Sequence, residues 1–322
     1  MYTKSLVVAL ALTALLATAT SAQTVGIGTS NPGSISHSVA SAIAKLITKE
    51  TGMQTRVQPY GGSAAFVPAV NTGETDFANP NELDMKFALT GTGIYEGQVL
   101  KNLRVVSVLM PFRNAFWVAK DSPIKSIKDL KGKRVPSRFV AQKILSLITT
   151  GVLANAGLTY SDVKEVPVPN VNRGADDFMQ GRADTFFFAV GSAKVREAGA
   201  KVGGLRALPT DPSPEAMARL RKHVPVAYAF LLEPSEMNYG ILEPTYVTSM
   251  DSLLITNTNV PEDVVYKVTK ALYGGKKDLF ASFKPLGANF SPQRMAKILV
   301  AGEYHPGAIK FYNEVGMWPP KD

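Results

Sequence analysis

The sequence predicts an α/β protein made of two similar lobes. Strand and helix patterns alternate along its first part, which is typical of a mostly parallel sheet flanked by helices. The motif Gly-x-x-Asp before an apolar strand occurs at residues 73–78 and again at 181–186. In each copy the glycine is expected to end a helix and the aspartate to bond the turn backbone. A strongly β-prone run at 103–110 and a short extended run at 250–256 stand where the chain would cross between the lobes.

The first lobe is predicted to begin with a strand at 25–27, a loop at 28–34 and a helix at about 36–50. Apolar residues recur along that helix at the spacing of one helical face. A second helix is expected at about 61–70, where Pro68 is expected to kink or shorten it. Strand, loop and helix in this order form the opening unit of a parallel sheet.

The domain division follows from the two crossing segments. Residues 111–114 are expected to interrupt the first of them. If both segments cross, the second lobe (113–257) is inserted into the first lobe (23–112 and 258–322). Two crossing strands form a hinge, and hinged lobes close on ligands.

The first 22 residues have the three parts of a secretory signal. Lys4 precedes an apolar run at 6–17, and small residues follow up to Ala22. The alternative is an uncleaved membrane anchor, but the run is short for a membrane span, which needs about 20 apolar residues. We therefore expect a periplasmic protein that is cleaved near Ala22. The chain has no cysteine, and one of this length needs no disulfides.

Composition and motifs argue against several function classes. The formal net charge is +9, but the basic residues are scattered and export disfavours nucleic acid as a partner. The three histidines are far apart in sequence, so no metal site is expected. No Gly-x-Ser-x-Gly elbow is present, and Ser34 stands where a P-loop needs lysine. We expect neither catalysis nor a cofactor.

The loop at 28–34 is the first candidate for ligand binding. It consists mostly of small and hydroxyl residues and precedes a helix. Such a loop presents free backbone N–H groups together with the positive end of the helix dipole, which suits a carboxylate. An ordinary strand-to-helix turn is the alternative interpretation.

Three arginines and one phenylalanine are further candidates. Arg113 lies at the predicted crossover, while Arg138 and Arg173 follow predicted strands at the end where open α/β sheets bind ligands. A guanidinium there can hold a carboxylate through two parallel hydrogen bonds. Each arginine is equally compatible with a surface position. Phe188 ends an aromatic strand and can reach the cleft, with the core as its alternative place.

An ordered set of motifs covers nearly all of the chain beyond residue 22. They lie at 28–33, 61–63, 73–76, 124–135, 156–159, 181–191, 261–266 and 305–308. In this order they resemble the TAXI family of solute-binding receptors of TRAP transporters. The Asp-Leu-Lys-Gly-Lys turn occurs widely in binding proteins, whereas the full order is far more specific.

The resemblance implies a type II-like periplasmic binding protein fold. Each lobe would be a mixed sheet flanked by helices, with the ligand cleft between the lobes. It implies a monomeric receptor without catalysis that delivers a small organic anion, a carboxylate or amino-acid-like compound, to the membrane subunits of a TRAP permease. The family's contacts carry over onto Thr29, Ser30, Asn31, Ser34, Ser63, Asn81, Phe188 and Gly191.

This chain departs from the family at two places. A loop resembling Gly-Ser-Gly-Thr is replaced here by Ser137-Arg138-Phe139, so Ser137 and Arg138 join the candidates and Arg138 is expected to supply charge. The tyrosine common before the first helix is replaced by His37 or its neighbour Ser36. An exported enzyme and a sensory ligand-binding protein on the same fold stay as alternatives.

Overall fold

The first lobe opens with two strand–loop–helix units followed by a short strand. The structure is a computed structural model that describes residues 24–320, so the predicted signal segment lies outside the described residues. The elements are β1 (Thr24–Thr29), α1 (Ile35–Thr51), β2 (Gln54–Pro59), α2 (Ser63–Thr72), β3 (Phe77–Ala78) and α3 (Glu82–Thr90). β1 pairs in parallel with both β2 and β3. The predicted order of strand, loop and helix is confirmed.

Pro68 does not shorten α2, which was one of the two effects expected of it. The helix continues to Thr72 and ends at Gly73, whose φ of 80° is left-handed. Proline removes only one helical hydrogen bond, while Phe66, Val67 and Val70 bury the apolar face of this helix. Because most helical stability in proteins comes from packing, the burial of this face outweighs the lost bond.

The second lobe repeats the same order of elements. These are β5 (Arg134–Ser137), α4 (Ile144–Asn155), β6 (Lys164–Pro167), α5 (Val171–Met179), β7 (Phe186–Ala189) and α6 (Ala193–Val202), which come after the long strand β4 (Leu103–Ala119). β5 and β6 pair in parallel, as β1 and β2 do. The duplicated sequence motif therefore marks a duplicated structural unit.

The aspartates of the two motifs hold strands and do not bond their turns, which corrects the expectation from sequence. Asp76 Oδ2 accepts from Gly26 N at 2.7 Å, and Asp184 Oδ2 accepts from Arg134 N at 2.7 Å. Each aspartate precedes a strand by one or two residues, so its carboxylate reaches an N–H group of the first strand of its own unit. Gly181, like Gly73, has a left-handed φ (71°).

Two long antiparallel strands connect the lobes. After β8 (Leu205–Ala207), α7 (Pro214–Arg221) and β9 (Tyr228–Leu232), the chain returns along β10 (Thr245–Asn257), which pairs with β4. The main sheet has the order β2-β1-β3-β10-β4-β7, with β8 on β4 and β9 on β10. The predicted break at 111–114 is wrong, because β4 runs through Pro111, which pairs with Asp251.

Two apolar cores lie on either side of the crossing strands. One contains residues of β1–β3 together with the C-terminal helices α8 (Glu262–Gly274), α9 (Lys276–Ser282), α10 (Lys284–Asn289) and α11 (Pro306–Glu314). The other contains residues of β5, β7 and α4–α7. The predicted two-lobed α/β fold is confirmed, while the residue boundaries of the lobes stay a prediction. Within residues 24–320 no helix combines the length and apolarity needed to cross a bilayer.

Candidate functional site

A cavity lies between the two cores, at the crossing strands. It encloses about 640 Å³ when its opening to solvent is included. Both lobes contribute residues to its wall, and so do the crossing strands β4 and β10. The lining residues are Ser30, Ser34, Ile35, Ser36, Gly62, Ser63, Phe66, Asn79, Pro80, Asn81, Asp84, Phe112, Asn114, Gln142, Ile144, Leu145, Val171, Phe188, Ala189 and Ser252.

Five helices begin at this cavity. Residues at or beside the first turns of α1, α2, α3, α4 and α5 all belong to its lining. Each helix N-terminus carries a partial positive charge and N–H groups without helical partners. Three of these helices belong to the first lobe and two to the second. The cavity is therefore surrounded by donors and by positive dipole ends.

Capping differs among these N-termini. Ser34 Oγ accepts from His37 N at 3.2 Å and caps α1, and Asn81 Oδ1 accepts from Asp84 N at 3.0 Å and caps α3. No side chain caps α2 or α4. The start of α2 is thus available to another acceptor, whereas in α4 Leu145 N and Ser146 N already donate to Gln142 O and Lys143 O.

Two buried polar side-chain atoms on the cavity wall have no partner in the described part of the chain. They are Ser63 Oγ and Asn79 Oδ1, and both residues are at most 5% exposed. The amide nitrogen of Asn79 donates to Ser36 O at 2.9 Å, which leaves its oxygen as an unused acceptor. Buried polar atoms are normally hydrogen-bonded, so atoms of this kind indicate a ligand-binding surface.

Asp84 is a lining residue that the sequence analysis missed. Its side chain is 1% exposed, and burial raises its pKa to about 7. Tyr95 Oη lies 3.4 Å from Asp84 Oδ1 but makes a shorter hydrogen bond, 3.0 Å, to Ser63 O. The only sequence signal was the capping pattern Asn81-x-x-Asp84, which indicates a helix start and does not reveal burial.

The wall has a polar side and an apolar side. Hydroxyl, amide and carboxyl groups come mainly from the first lobe, at Ser30, Ser63 and Asp84. The second lobe supplies mostly apolar groups, namely Ile144, Leu145, Val171 and Phe188, together with Gln142. Gln142 Oε1 accepts from Val171 N at 3.0 Å and thereby joins the starts of α4 and α5.

The lobes touch across the cleft at Asn172 and at Gly62. Asn172 Nδ2 donates to Pro32 O at 3.0 Å, although the two residues lie in different lobes. A Cβ atom at Gly62 would lie 2.5 Å from Ala141 O, closer than such atoms come in proteins. The backbone at Gly62 is extended (φ 174°), so glycine is required there by the opposite lobe and not by its own conformation. These contacts define a closed arrangement.

Five of the predicted site residues line the cavity, namely Ser30, Ser34, Ser63, Asn81 and Phe188. Three other predicted residues lie in or next to the first loop but do not line the cavity. Thr29 is fully buried, Asn31 O accepts from Ser34 N, and His37 N bonds Ser34. Their roles as ligand contacts stay predictions. The sequence analysis also missed Asn79, Asn114, Gln142 and Ser252, which carry no motif of their own.

Ser137 and Gly191 lie away from the cavity lining. Ser137 is fully buried, and its Oγ has no hydrogen-bond partner among the described residues. Gly191 follows the aromatic strand β7 but faces Pro285 of α10, 3.4 Å from where its Cβ would be. Phe188 lies within the strand and lines the cavity, whereas Gly191 lies beyond the end of the strand and does not.

The position expected for Arg138 has to be corrected. Its side chain is 65% exposed, and its Nε lies 3.8 Å from Glu165 at the surface. Arg138 and Phe139 both have positive φ, 66° and 35°, and Phe139 is completely buried. Because this turn directs the phenyl ring into the core, the guanidinium points to solvent.

Arg113 and Arg173 are also outside the cavity. Arg173 pairs with Asp177 on its own helix at 3.0 Å. Arg113 is 4% exposed and stacks on Phe230, and burial lowers its pKa to about 10. Its strand neighbours Phe112 and Asn114 line the cavity, so alternation along β4 turns Arg113 to the opposite face. Among the described lining residues there is no lysine or arginine.

Metal ligands do not assemble in the described structure. Between residues 24 and 320 no group of three or more His, Cys, Asp or Glu side chains is arranged to hold a metal ion. His305 instead accepts from Gly307 N at 3.1 Å and caps α11.

Two lobes joined by two crossing strands, with a cavity between them, form the architecture of hinged proteins that close on ligands. The chain belongs to the NMT1-like family, whose model matches residues 27–316.

Solved structures show the same fold at low sequence identity. The periplasmic binding protein BugD matches with a TM-score of 0.59 and 13% identity, over 92% of this chain and 95% of that one. A periplasmic transporter structure matches with a TM-score of 0.57 and 17% identity, over 92% and 94%. A binding-protein component of an ABC phosphonate transporter from Pseudomonas aeruginosa matches with a TM-score of 0.52 and 10% identity, over 84% and 80%.

Proposed function

We propose that this protein is an extracytoplasmic receptor that binds a small organic anion, a carboxylate or amino-acid-like compound, between two closing lobes. The observation that carries the proposal is the meeting of five helix N-termini at one cavity between the lobes. N-termini of helices are favourable sites for anions because of their free N–H groups and dipoles. The receptor would release its ligand to a membrane permease without altering it.

The negative charge of the anion would be stabilised by uncharged hydrogen-bond donors. Since no described lining residue is lysine or arginine, the carboxylate is held by backbone N–H groups and hydroxyls. The uncapped start of α2 and the unpaired Ser63 Oγ lie together in the first lobe and form its expected seat. Residues at the start of α4 and at Phe188 would then contact the apolar part of the ligand.

The permease is proposed to be of the TRAP type, because the order of motifs along the chain resembles the TAXI receptors. A periplasmic location follows from the same proposal and from the signal-like first 22 residues. The phosphonate-binding neighbour belongs to an ABC system and shares the fold. Reconstituted uptake with candidate membrane subunits separates the two classes. Uptake that requires ATP hydrolysis would contradict the TRAP assignment.

Calorimetry with a panel of small carboxylates tests the receptor proposal. Ser63→Ala should weaken the binding of the tightest carboxylate about ten- to hundredfold, the factor expected for a hydrogen bond to a charged group. Thr72→Ala, at the exposed far end of the same helix, is the matched control and should leave binding unchanged. Failure of every carboxylate to bind, or recovery of the bound compound in altered form, would contradict the proposal.

A further inference from the structure

Asp84 presents an acid in a cavity that the proposed function assigns to an anion. It lies at the third residue of α3, is 1% exposed, and belongs to the cavity lining. An ionised carboxylate at this position repels a second carboxylate and attracts a cation. The proposed function alone does not explain why an acid is placed here.

The protein itself gives Asp84 little compensation. In the described part of the chain the carboxylate forms no salt bridge, and its polar neighbours are the hydroxyls of Ser63 and Tyr95 and the N–H group of Asn81, with Tyr95 Oη 3.4 Å from Oδ1. The Tyr95 hydroxyl is better placed on Ser63 O, at 3.0 Å. Burying a carboxylate without a charged partner is unfavourable, and burial raises the pKa of Asp84 to about 7 despite these polar neighbours. A cationic partner from the ligand would remove this penalty.

A second unused acceptor lies on the same wall. Asn79 Oδ1 is buried without a partner among the described residues, and its amide nitrogen is committed to Ser36 O. A protonated amine has three N–H donors and no acceptor. The Asp84 carboxylate and Asn79 Oδ1 are therefore acceptors to which an ammonium group of the ligand could donate.

We infer that Asp84 determines specificity by binding a protonated amine of the ligand, with Asn79 as a second acceptor. The inference rests on the proposed function, since the carboxylate of the same ligand occupies the helix N-termini. The ligand is then a zwitterion with an apolar side chain directed at Phe66, Ile144 and Leu145. Dicarboxylates without an amine are disfavoured because their second charge would face Asp84.

Matched compounds that differ only in the amine test this inference. Calorimetry on the full-length mature protein would compare L-leucine with 4-methylpentanoate, L-phenylalanine with 3-phenylpropanoate, and L-alanine with propanoate. We expect at least one amino acid to bind about ten- to hundredfold more tightly than its deaminated partner. This comparison uses the wild-type protein and needs no variant.

Asp84→Asn then identifies the residue responsible. The variant should lose most of the preference for the amine while keeping its affinity for the deaminated acid. Asp263→Asn, also in the first turn of a helix but exposed, is the control and should keep the preference. A merely structural role for Asp84 would weaken both members of a pair equally.

Three results would overturn the inference. They are equal or tighter binding of the deaminated acids, an unchanged preference in Asp84→Asn, and the absence of binding by any amino acid at millimolar concentration. If deaminated acids bind while amino acids do not, the inference fails and the receptor proposal stands. If no carboxylate of any kind binds, the receptor proposal fails as well.

Discussion

The two lobes place equivalent loops at the same cavity but use them differently. In the first lobe the loop between β1 and α1 has its left-handed residue at Gly33 (φ 88°) and ends in the capping hydroxyl of Ser34. In the second lobe the loop between β5 and α4 has left-handed φ at Arg138 and Phe139 and leaves α4 uncapped. The first loop places the hydroxyl groups of Ser30 and Ser34 on the cavity wall, whereas the second buries the Phe139 ring in the core and contributes Gln142 to the wall.

Because the two loops differ, the same fold produces a cavity with a polar side and an apolar side. Non-glycine residues with positive φ cost about 1–3 kcal/mol each, so they persist only where other contacts compensate. Here the fully buried ring of Phe139 and the hydrogen bond from Val140 N to Val168 O (3.3 Å) hold the turn. The polar end of a ligand is therefore expected at the first lobe and its apolar end at the second.

The largest expected effect is on the stability of the second loop. Phe139→Ala removes a buried ring while leaving the strained turn, and should lower the free energy of unfolding by about 3–5 kcal/mol. Urea denaturation measures this change. Val140→Ala, at a side chain that is 63% exposed, is the control and should change stability by less than about 0.5 kcal/mol. Equal effects of the two changes would mean that packing does not hold this loop.

Asp84, on the polar side of the cavity, should make the free energy of unfolding depend on pH. The pKa of Asp84 is raised to about 7 in the folded protein, against about 3.9 in an unfolded chain. Between these values the folded state keeps a proton that the unfolded state has lost, so Asp84 makes the free energy of unfolding fall as pH rises from about 4 to 7.

Asp84→Asn should flatten that slope, which amounts to a few kcal/mol across the interval. Denaturation at a series of pH values measures it, and Asp263→Asn should keep the wild-type slope. An identical slope in Asp84→Asn would show that this carboxyl is ionised and solvated in the free protein.

Closure should depend on the missing side chain at Gly62. Gly62→Ala places a Cβ against Ala141 O, so the closed state should lose about 1–3 kcal/mol relative to the open state. We expect weaker ligand binding, by calorimetry, with little change in unfolding. Gly61→Ala is the matched control, since its Cβ would come no closer than 3.9 Å to Ala141. Undiminished affinity in Gly62→Ala would mean that the ligand binds without this closure.

A smaller effect is expected where Asn172 bonds Pro32 across the cleft. Asn172→Ala removes one hydrogen bond, worth about 1 kcal/mol, and should speed ligand dissociation about fivefold. Stopped-flow measurement of dissociation tests this. Arg173→Ala, at the next residue but paired within its own helix, should leave the rate unchanged. If Arg173→Ala had the larger effect, the loop-to-helix bond would not be the contact that matters.

The smallest effect is expected at Arg138. Because its side chain is exposed and only 3.8 Å from Glu165, Arg138→Ala should change both stability and affinity by less than about 0.5 kcal/mol. Calorimetry with the tightest carboxylate is the measurement. A tenfold loss of affinity would restore the original hypothesis that this arginine supplies charge to the ligand.

Local patterns were sufficient to predict the fold and part of the first lobe's contribution to the cavity wall. The loop at 28–34 could be placed because glycine and hydroxyl residues before a helical repeat act locally, and Ser30 and Ser34 indeed line the cavity. The duplicated Gly-x-x-Asp motif correctly indicated two units, although its aspartates bond distant strands.

The positions of the other site candidates depend on contacts between distant segments, which no local sequence pattern reveals. The direction of Arg138 follows from the burial of Phe139, and that of Arg113 from alternation along a strand that was expected to break. Asp84 was missed because its burial is created by Ser63 and Tyr95, which come from other segments of the chain.

Native mass spectrometry of the purified protein measures whether an organic anion is held between the lobes. We expect the wild-type protein and Gly61→Ala to carry a small solute with a carboxylate group, and Gly62→Ala to have lost most of it. Equal retention in all three proteins, or a bound solute without an acidic group, would contradict the claim that the lobes close on an organic anion.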